Sequence, residues 1–143
     1  MNGVSRWVVP ALLGGALLAA GCAGLGAAAV IGGISYYKST HRETATVNLN
    51  AQPKRVYQVA LETIAGISTV QVTKKDDAKL VIDMKQDKRS ITLKVKALGP
   101  TTTQLSVTSE IEDGAPGSKE AIVKRVGEIC DKLGVEHHEV VKE

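Results

Sequence analysis

The hydrophobic positions of this chain follow two regimes. From Trp7 to Tyr37 no charged residue occurs, and glycine, alanine and aliphatic residues succeed one another without a period. From Thr44 a period of two takes over: Val47 and Leu49 alternate with Thr46 and Asn48, which predicts a half-buried strand. A helical repeat follows, with Pro53 suited to a first turn and Val56, Val59, Ala60 and Ile64 recurring at helical spacing until Gly66 weakens it. That spacing predicts a helix over 53–65. Thr69 to Thr73 and Ala78 to Met84 are β-rich runs separated by Lys74-Lys75-Asp76-Asp77, which read as a hairpin and its polar turn. Ile91, Leu93, Val95 and Ala97 then alternate with Ser90, Thr92, Lys94 and Lys96. After a Gly99-Pro100 turn, Thr103, Leu105, Val107, Ser109 and Ile111 alternate back.

Asp113 to Gly117 interrupts the sheet, and Ser118 suits the start of a final helix whose Ile122, Val126, Ile129, Cys130 and Leu133 form one stripe. Gly134 ends that helix as a residue just beyond its last turn. The predicted order is β-α-β-β-β-β-α. Each helix needs an apolar partner, and only the inner face of the sheet is large enough to supply one. An α+β fold follows: a two-layer sandwich of an antiparallel sheet with two helices on one face.

Composition changes where the domain is placed. Of 143 residues 43% are apolar, yet much of that content precedes residue 38, so the globular part is expected at 44–134, with a charged tail at 135–143. A domain of about 90 residues buries only about 60% of its unfolded surface. The chain contains no Phe, so its core must be aliphatic, and such a core is open to being underfilled. The net charge of +3 comes from 18 basic and 15 acidic residues that are interleaved rather than clustered. With few aromatic stacking platforms as well, nucleic acid is not an expected partner.

The uncharged leading stretch has the parts of an export signal over 1–21: Arg6, an apolar run from Trp7 to Ala20, and small residues before a cysteine. Leu18-Ala19-Ala20-Gly21-Cys22 resembles the lipobox of bacterial lipoprotein precursors. The resemblance implies cleavage between Gly21 and Cys22 and diacylglycerol on the Cys22 sulfur, with a fatty-acyl chain such as palmitate. Residues 22–43 would then be a Gly/Ala-rich tether, with Tyr36-Tyr37-Lys38 as a border at the lipid headgroups. An uncleaved membrane helix is the alternative, since about 20 apolar residues suffice to span. Pro10 and the many glycines weigh against it.

Together with Arg55-Val56-Tyr57, Ile91-Thr92-Leu93-Lys94-Val95 and Asp113 to Ile122, these features resemble an uncharacterised family of small bacterial envelope lipoproteins, a domain of unknown function. The lipid implies a membrane-anchored protein of the cell envelope. Ala23 follows the cysteine where, under the enterobacterial sorting rule, an Asp would retain a lipoprotein in the inner membrane, so the expected location is the outer membrane facing the periplasm. The anchor together with the sparse chemistry implies an envelope protein as partner, and the family resemblance itself implies no activity.

Candidate chemistry is sparse. His137 and His138 with Glu136, Glu139 and His41 invite a metal reading, but adjacent residues diverge whereas His ligands on a helix sit four apart, so no metal site is expected. Asp76-Asp77 and Glu112-Asp113 fall in predicted turns, where Asp serves local backbone hydrogen bonds. Lys85, Lys88, Arg89, Lys94 and Lys96 suggest a basic stripe on the exposed sheet face, with edge protection as its ordinary purpose. Cys130 reads as a small buried hydrophobe. No nucleophile elbow or phosphate-cradling loop occurs, so neither catalytic residues nor cofactors are expected. The expected role is a non-enzymatic interaction or assembly module; the alternative is a binding module for a small apolar ligand or lipid between helices and sheet.

Overall fold

Alternation along the strands sorts side chains onto two faces, and the inward set builds one core. The computed structural model describes residues 31–111 and 118–140. Its elements are β1 (Gly33–Lys38), β2 (Arg42–Leu49), α1 (Pro53–Ala65), β3 (Val70–Asp76), β4 (Val81–Gln86), β5 (Arg89–Ala97), β6 (Thr103–Glu110), α2 (Lys119–Leu133) and β7 (His138–Glu139). They form a 7-stranded sheet in the order β3-β4-β5-β6-β2-β1-β7. Pairing is antiparallel throughout except between β1 and β7.

Both helices lie on the inner face, where Ala45, Val47 and Leu49 of β2, Leu93 and Val95 of β5, and Leu105 and Val107 of β6 are buried with Val56, Ile64, Val126 and Ile129. Burying each of the Val, Leu and Ile side chains among them contributes about 1.5–3 kcal/mol. The outer face is polar and hydroxyl-rich, as the Thr44–Thr108 and Thr46–Ser106 side-chain bonds of 3.1 and 3.3 Å illustrate. The fold is therefore the expected α+β sandwich, with two strands more than the alternation predicts.

The first addition is β1, which occupies residues expected to be tether and headgroup border. Gly32 explains why the chain stays on the domain. Its φ is +80°, and a Cβ there would sit 2.5 Å from the Glu136 carbonyl oxygen, so only glycine lets the C-terminal segment lie against it. The Tyr36 side chain turns into the domain rather than toward headgroups, and its hydroxyl donates to Glu43. The second addition is β7, built from what reads as a charged tail. Its His138 and Val140 amides donate to the carbonyls of Gly32 and Ile34, at 2.9 Å each.

Several boundaries also differ, β4 among them, which spans Val81–Gln86 rather than 78–84. β3 continues to Asp76, because the Asp76 carboxylate accepts from the Ala78 and Lys79 amides at 3.0 and 2.9 Å and so places the turn after it. β2 begins at Arg42 rather than 44, which brings a glutamate onto the inner face. The helices match their expected spans, and Gly134 takes the left-handed conformation with φ 72°.

Candidate functional site

Period two places Glu43 in phase with Ala45, Val47 and Leu49, so its side chain enters the core. It is 0% exposed. A buried carboxylate must be paired and hydrogen-bonded to be tolerated, and this one is. Ser118, at the start of α2, donates through its hydroxyl at 2.5 Å and through its amide at 2.8 and 3.0 Å. The Tyr36 hydroxyl donates at 2.7 Å, and an Arg89 guanidinium nitrogen lies 3.6 Å away. Arg89 in turn donates to the Ser118 oxygen. Ser118 thus makes no side-chain cap of its own helix; its hydroxyl reaches across to β2.

Burial by itself would push the Glu43 carboxyl up, but the hydrogen bonds from Ser118 and Tyr36 and the Arg89 charge outweigh it and hold the group below its ordinary 4.5. The carboxylate also sits where the dipole of α2 favours a negative charge. Tyr36 shows the other side of the pairing: burial, then its bond to Glu43 and that group's charge, push its phenol up to about 12.

Beside this cluster a pocket of about 320 Å³ opens between the first half of α2 and strands β3 to β6. Its walls are aliphatic: Met84, Ile91, Leu93 and Val107 from the sheet, Ala121 and Ile122 from the helix. Polar groups gather along its margin, notably Arg89, Arg125, Ser109 and Ser118. Arg125 pairs with Glu128 one turn on, at 2.9 Å. Ser109 is 1% exposed, and among the described residues its hydroxyl makes one long bond, 3.4 Å, to the carbonyl of the next residue.

The residues singled out from sequence are dispersed. His137 bonds Asp131 at 2.8 Å and packs on Gly127, His138 lies in β7, and His41 is in the β1–β2 connection. Among the described residues no group of three His, Cys, Asp or Glu is placed to hold a metal ion. Asp77 accepts from the Tyr57 hydroxyl at 2.7 Å, and burial, then the Asp77 bond and charge, push that phenol up to about 12. Cys130 is fully buried, and burial with the nearby Asp131 charge pushes its thiol up to about 11. Lys85, Lys88, Lys94 and Lys96 are exposed, whereas Arg89 leaves the expected basic stripe for the interior cluster. Leu18, Ala19, Ala20, Gly21 and Cys22, with the cleavage point, and Glu112-Asp113 lie outside the described residues.

Sequence reasoning missed Glu43, Arg89, Ser109 and Ser118 as a neighbourhood. A signal existed: Glu43 continues the inward phase of β2, Arg89 that of Ile91 and Leu93, and Ser109 that of Leu105 and Val107. A charged residue in phase with a buried set needs a partner, and here the partners converge.

No family model matches the chain, and no curated protein does. Similar solved structures include the Zhui aromatase/cyclase from Streptomyces sp. R1128, at 13% identity over 65% of this chain and 86% of that one, with a TM-score of 0.42. A conserved protein of unknown function from Enterococcus faecalis is similar at 9% identity over 70% and 74%, TM-score 0.46. A START superfamily protein from Mycobacterium smegmatis is similar at 14% identity over 66% and 92%, TM-score 0.38. Likeness at this level carries no assignment of activity.

These findings nevertheless correct the expected membership of an envelope lipoprotein family. The chain matches no such family, and the similarity found is to an aromatase/cyclase and a START superfamily domain. The lipid-anchored membrane partner read from the lipobox, the envelope protein partner read from that anchor, and the outer-membrane location read from Ala23 are withdrawn on the same findings. No helix among the described residues is long and apolar enough to cross a membrane. What stands is an α+β domain in which helix and sheet enclose an aliphatic pocket with a polar margin.

Proposed function

We propose that this protein is a binding module for a small apolar ligand, held between α2 and the sheet, and that it acts by binding rather than by turnover. The observation that supports this reading is the pocket itself. Its volume of about 320 Å³ lies at the small end of the range for ligand sites, about 300–1,000 Å³, and its walls are aliphatic with a few convergent polar groups. The chain has no phenylalanine, so no such ring occupies the space between these aliphatic side chains. The adjoining polar cluster favours support over chemistry. The Ser118 hydroxyl is tied between Arg89 and a charged Glu43, which pins the start of α2 to β2.

The test uses a small neutral fluorescent probe, 1-naphthol, with the full chain and with Ala121→Phe. Ala121 is exposed on α2 and lines the pocket, so the larger ring occupies the mouth without entering the packed core. Saturable one-to-one binding that Ala121→Phe abolishes, with an unchanged thermal melt, is the expected result. Equal binding by both proteins would remove the pocket as the site.

A further inference from the structure

We infer that the ligand of this pocket is an uncharged molecule of about ten non-hydrogen atoms that carries one hydroxyl, and that this hydroxyl donates its hydrogen to the Oγ of Ser109. The inference rests on the binding reading above and adds the chemical class and the residue that selects it. Size follows from volume: 320 Å³ accommodates about ten groups of water size at about 30 Å³ each.

The absence of charge follows from how the ions of the lining are already matched. Arg89 and Arg125 both line the pocket, and each faces a carboxylate of the protein: Glu43 at 3.6 Å and Glu128 at 2.9 Å. An anionic ligand would have to displace one of these carboxylates, and the displaced group would lose its partner. A cationic ligand would meet two guanidinium groups. Among the described residues the one carboxylate in the lining is Asp87, which is exposed in the β4–β5 turn, where water screens it. Burying either ion against Leu93 and Val107 without a partner costs far more than burying a hydroxyl. A ligand without charge leaves both pairs intact.

Ser109 supplies the second, independent observation. It follows Val107 inward on β6, lines the same pocket and is 1% exposed. Its hydrogen makes a bond of 3.4 Å to the Glu110 carbonyl, long for an O–H donor, and among the described residues its oxygen accepts no bond. A hydroxyl oxygen has two lone pairs, so Ser109 holds an acceptor out of water with nothing to accept. Opposite it on β2 stands Glu43, whose ionised carboxylate favours an incoming hydrogen over an incoming lone pair. A ligand O–H fits that setting, whereas a ketone or ether oxygen would bring a further lone pair to it.

Fluorescence titration of the full chain with 1-naphthol, naphthalene and 1-methoxynaphthalene varies the hydrogen-bonding group on one apolar body; 1-naphthoate and 1-naphthylmethylammonium vary its charge. The two ions are expected to bind at least roughly tenfold more weakly than 1-naphthol. Ser109→Ala should weaken 1-naphthol roughly fivefold, a loss typical of one hydrogen bond between neutral groups, and leave naphthalene and 1-methoxynaphthalene unchanged. Ser109→Cys keeps the shape of the side chain with a weak acceptor and should repeat that pattern, so the test stands even if the thermal melt shows the alanine variant misfolded. Equal losses for 1-naphthol and naphthalene in these variants, or none for either, would overturn the hydroxyl at Ser109. Binding of 1-naphthoate as tight as that of 1-naphthol would overturn the uncharged class. In both cases binding that Ala121→Phe abolishes leaves the pocket reading intact. Failure of 1-naphthol and naphthalene alike to bind the full chain would overturn both readings.

Discussion

Glu43→Ala is the most informative single perturbation of the scaffold. It removes the acceptor for the Ser118 hydroxyl and amide and the Tyr36 hydroxyl, whose bonds now span 2.5–3.0 Å, and leaves Arg89 without the carboxylate 3.6 Å away. Breaking a buried charged pair by deleting one member costs about 3–5 kcal/mol. Arg89 is 34% exposed, so water recovers part of that, and about 3 kcal/mol is expected. For a domain of this size the loss corresponds to about 12–24 °C in Tm. Glu43→Gln keeps the volume but presents an amide N–H to a group of donors; roughly half the loss follows, since a hydrogen bond to a charged group contributes about 1.5–3 kcal/mol. The dependence on pH has a defined sign. Glu43 is held below 4.5, so its ionised form stabilises the fold above that pH, and the contribution fades as pH falls through the lowered folded value. Circular dichroism melts from neutral to acid pH should therefore show a constant gap between the natural protein and Glu43→Gln above pH 4.5, narrowing below it. A Tm change under about 4 °C for Glu43→Ala, less than about 1 kcal/mol, or a gap that persists undiminished in acid, would refute the reasoning.

Three further outcomes are expected. Tyr36 and Tyr57, both pushed up to about 12, stabilise the fold fully below pH 10 and lose that contribution as pH rises toward 12; Tyr36→Phe and Tyr57→Phe should each flatten the alkaline fall in Tm, and an unchanged fall would exclude the pairing. Gly32→Ala forces a Cβ to 2.5 Å from the Glu136 carbonyl at a φ of +80°, a strain of about 1–3 kcal/mol. Amide exchange at His138 and Val140 should accelerate at least roughly tenfold while the β5–β6 amides stay protected, whereas uniform acceleration would place the damage in the core. Cys130, buried with its thiol near 11, should react with a thiol reagent only at the rate of unfolding, followed by peptide mass; prompt labelling of the folded protein would contradict its place in the core.

Much of this fold is legible in the sequence because strands that face water on one side write their register into the alternation. Leu93 and Val95 against Thr92 and Lys94 mark which face of β5 is buried, and Val56, Val59, Ala60 and Ile64 mark the stripe of α1. β1 is not legible in the same way. Gly33, Ile34, Ser35, Tyr36 and Tyr37 are uncharged on both faces, so the period is faint, and their context reads as the end of a tether. At Gly32 a physical reason is visible: glycine there serves close packing against Glu136. β7 escapes notice because a strand of two residues has no period at all.

The candidate site divides along similar lines. Its inward charged members are readable from phase, since Glu43 and Arg89 each extend a buried series by one step. Their convergence is not, because Glu43 and Ser118 stand 75 positions apart and meet only when α2 lies across β2. The pocket is less legible still: a void is a property of side chains that fail to touch, and no residue encodes it alone.

The account depends most on the space between α2 and the sheet being a ligand site. Heteronuclear NMR of the full chain titrated with the neutral probe 1-naphthol tests this directly, through the amides of Ile91, Leu93, Val107, Ser109, Ala121 and Arg125, which line that space. Saturating shifts centred on these residues, absent in Ala121→Phe, are the predicted result. Shifts centred on another surface, or none at 1-naphthol concentrations that leave the fold intact, would contradict it.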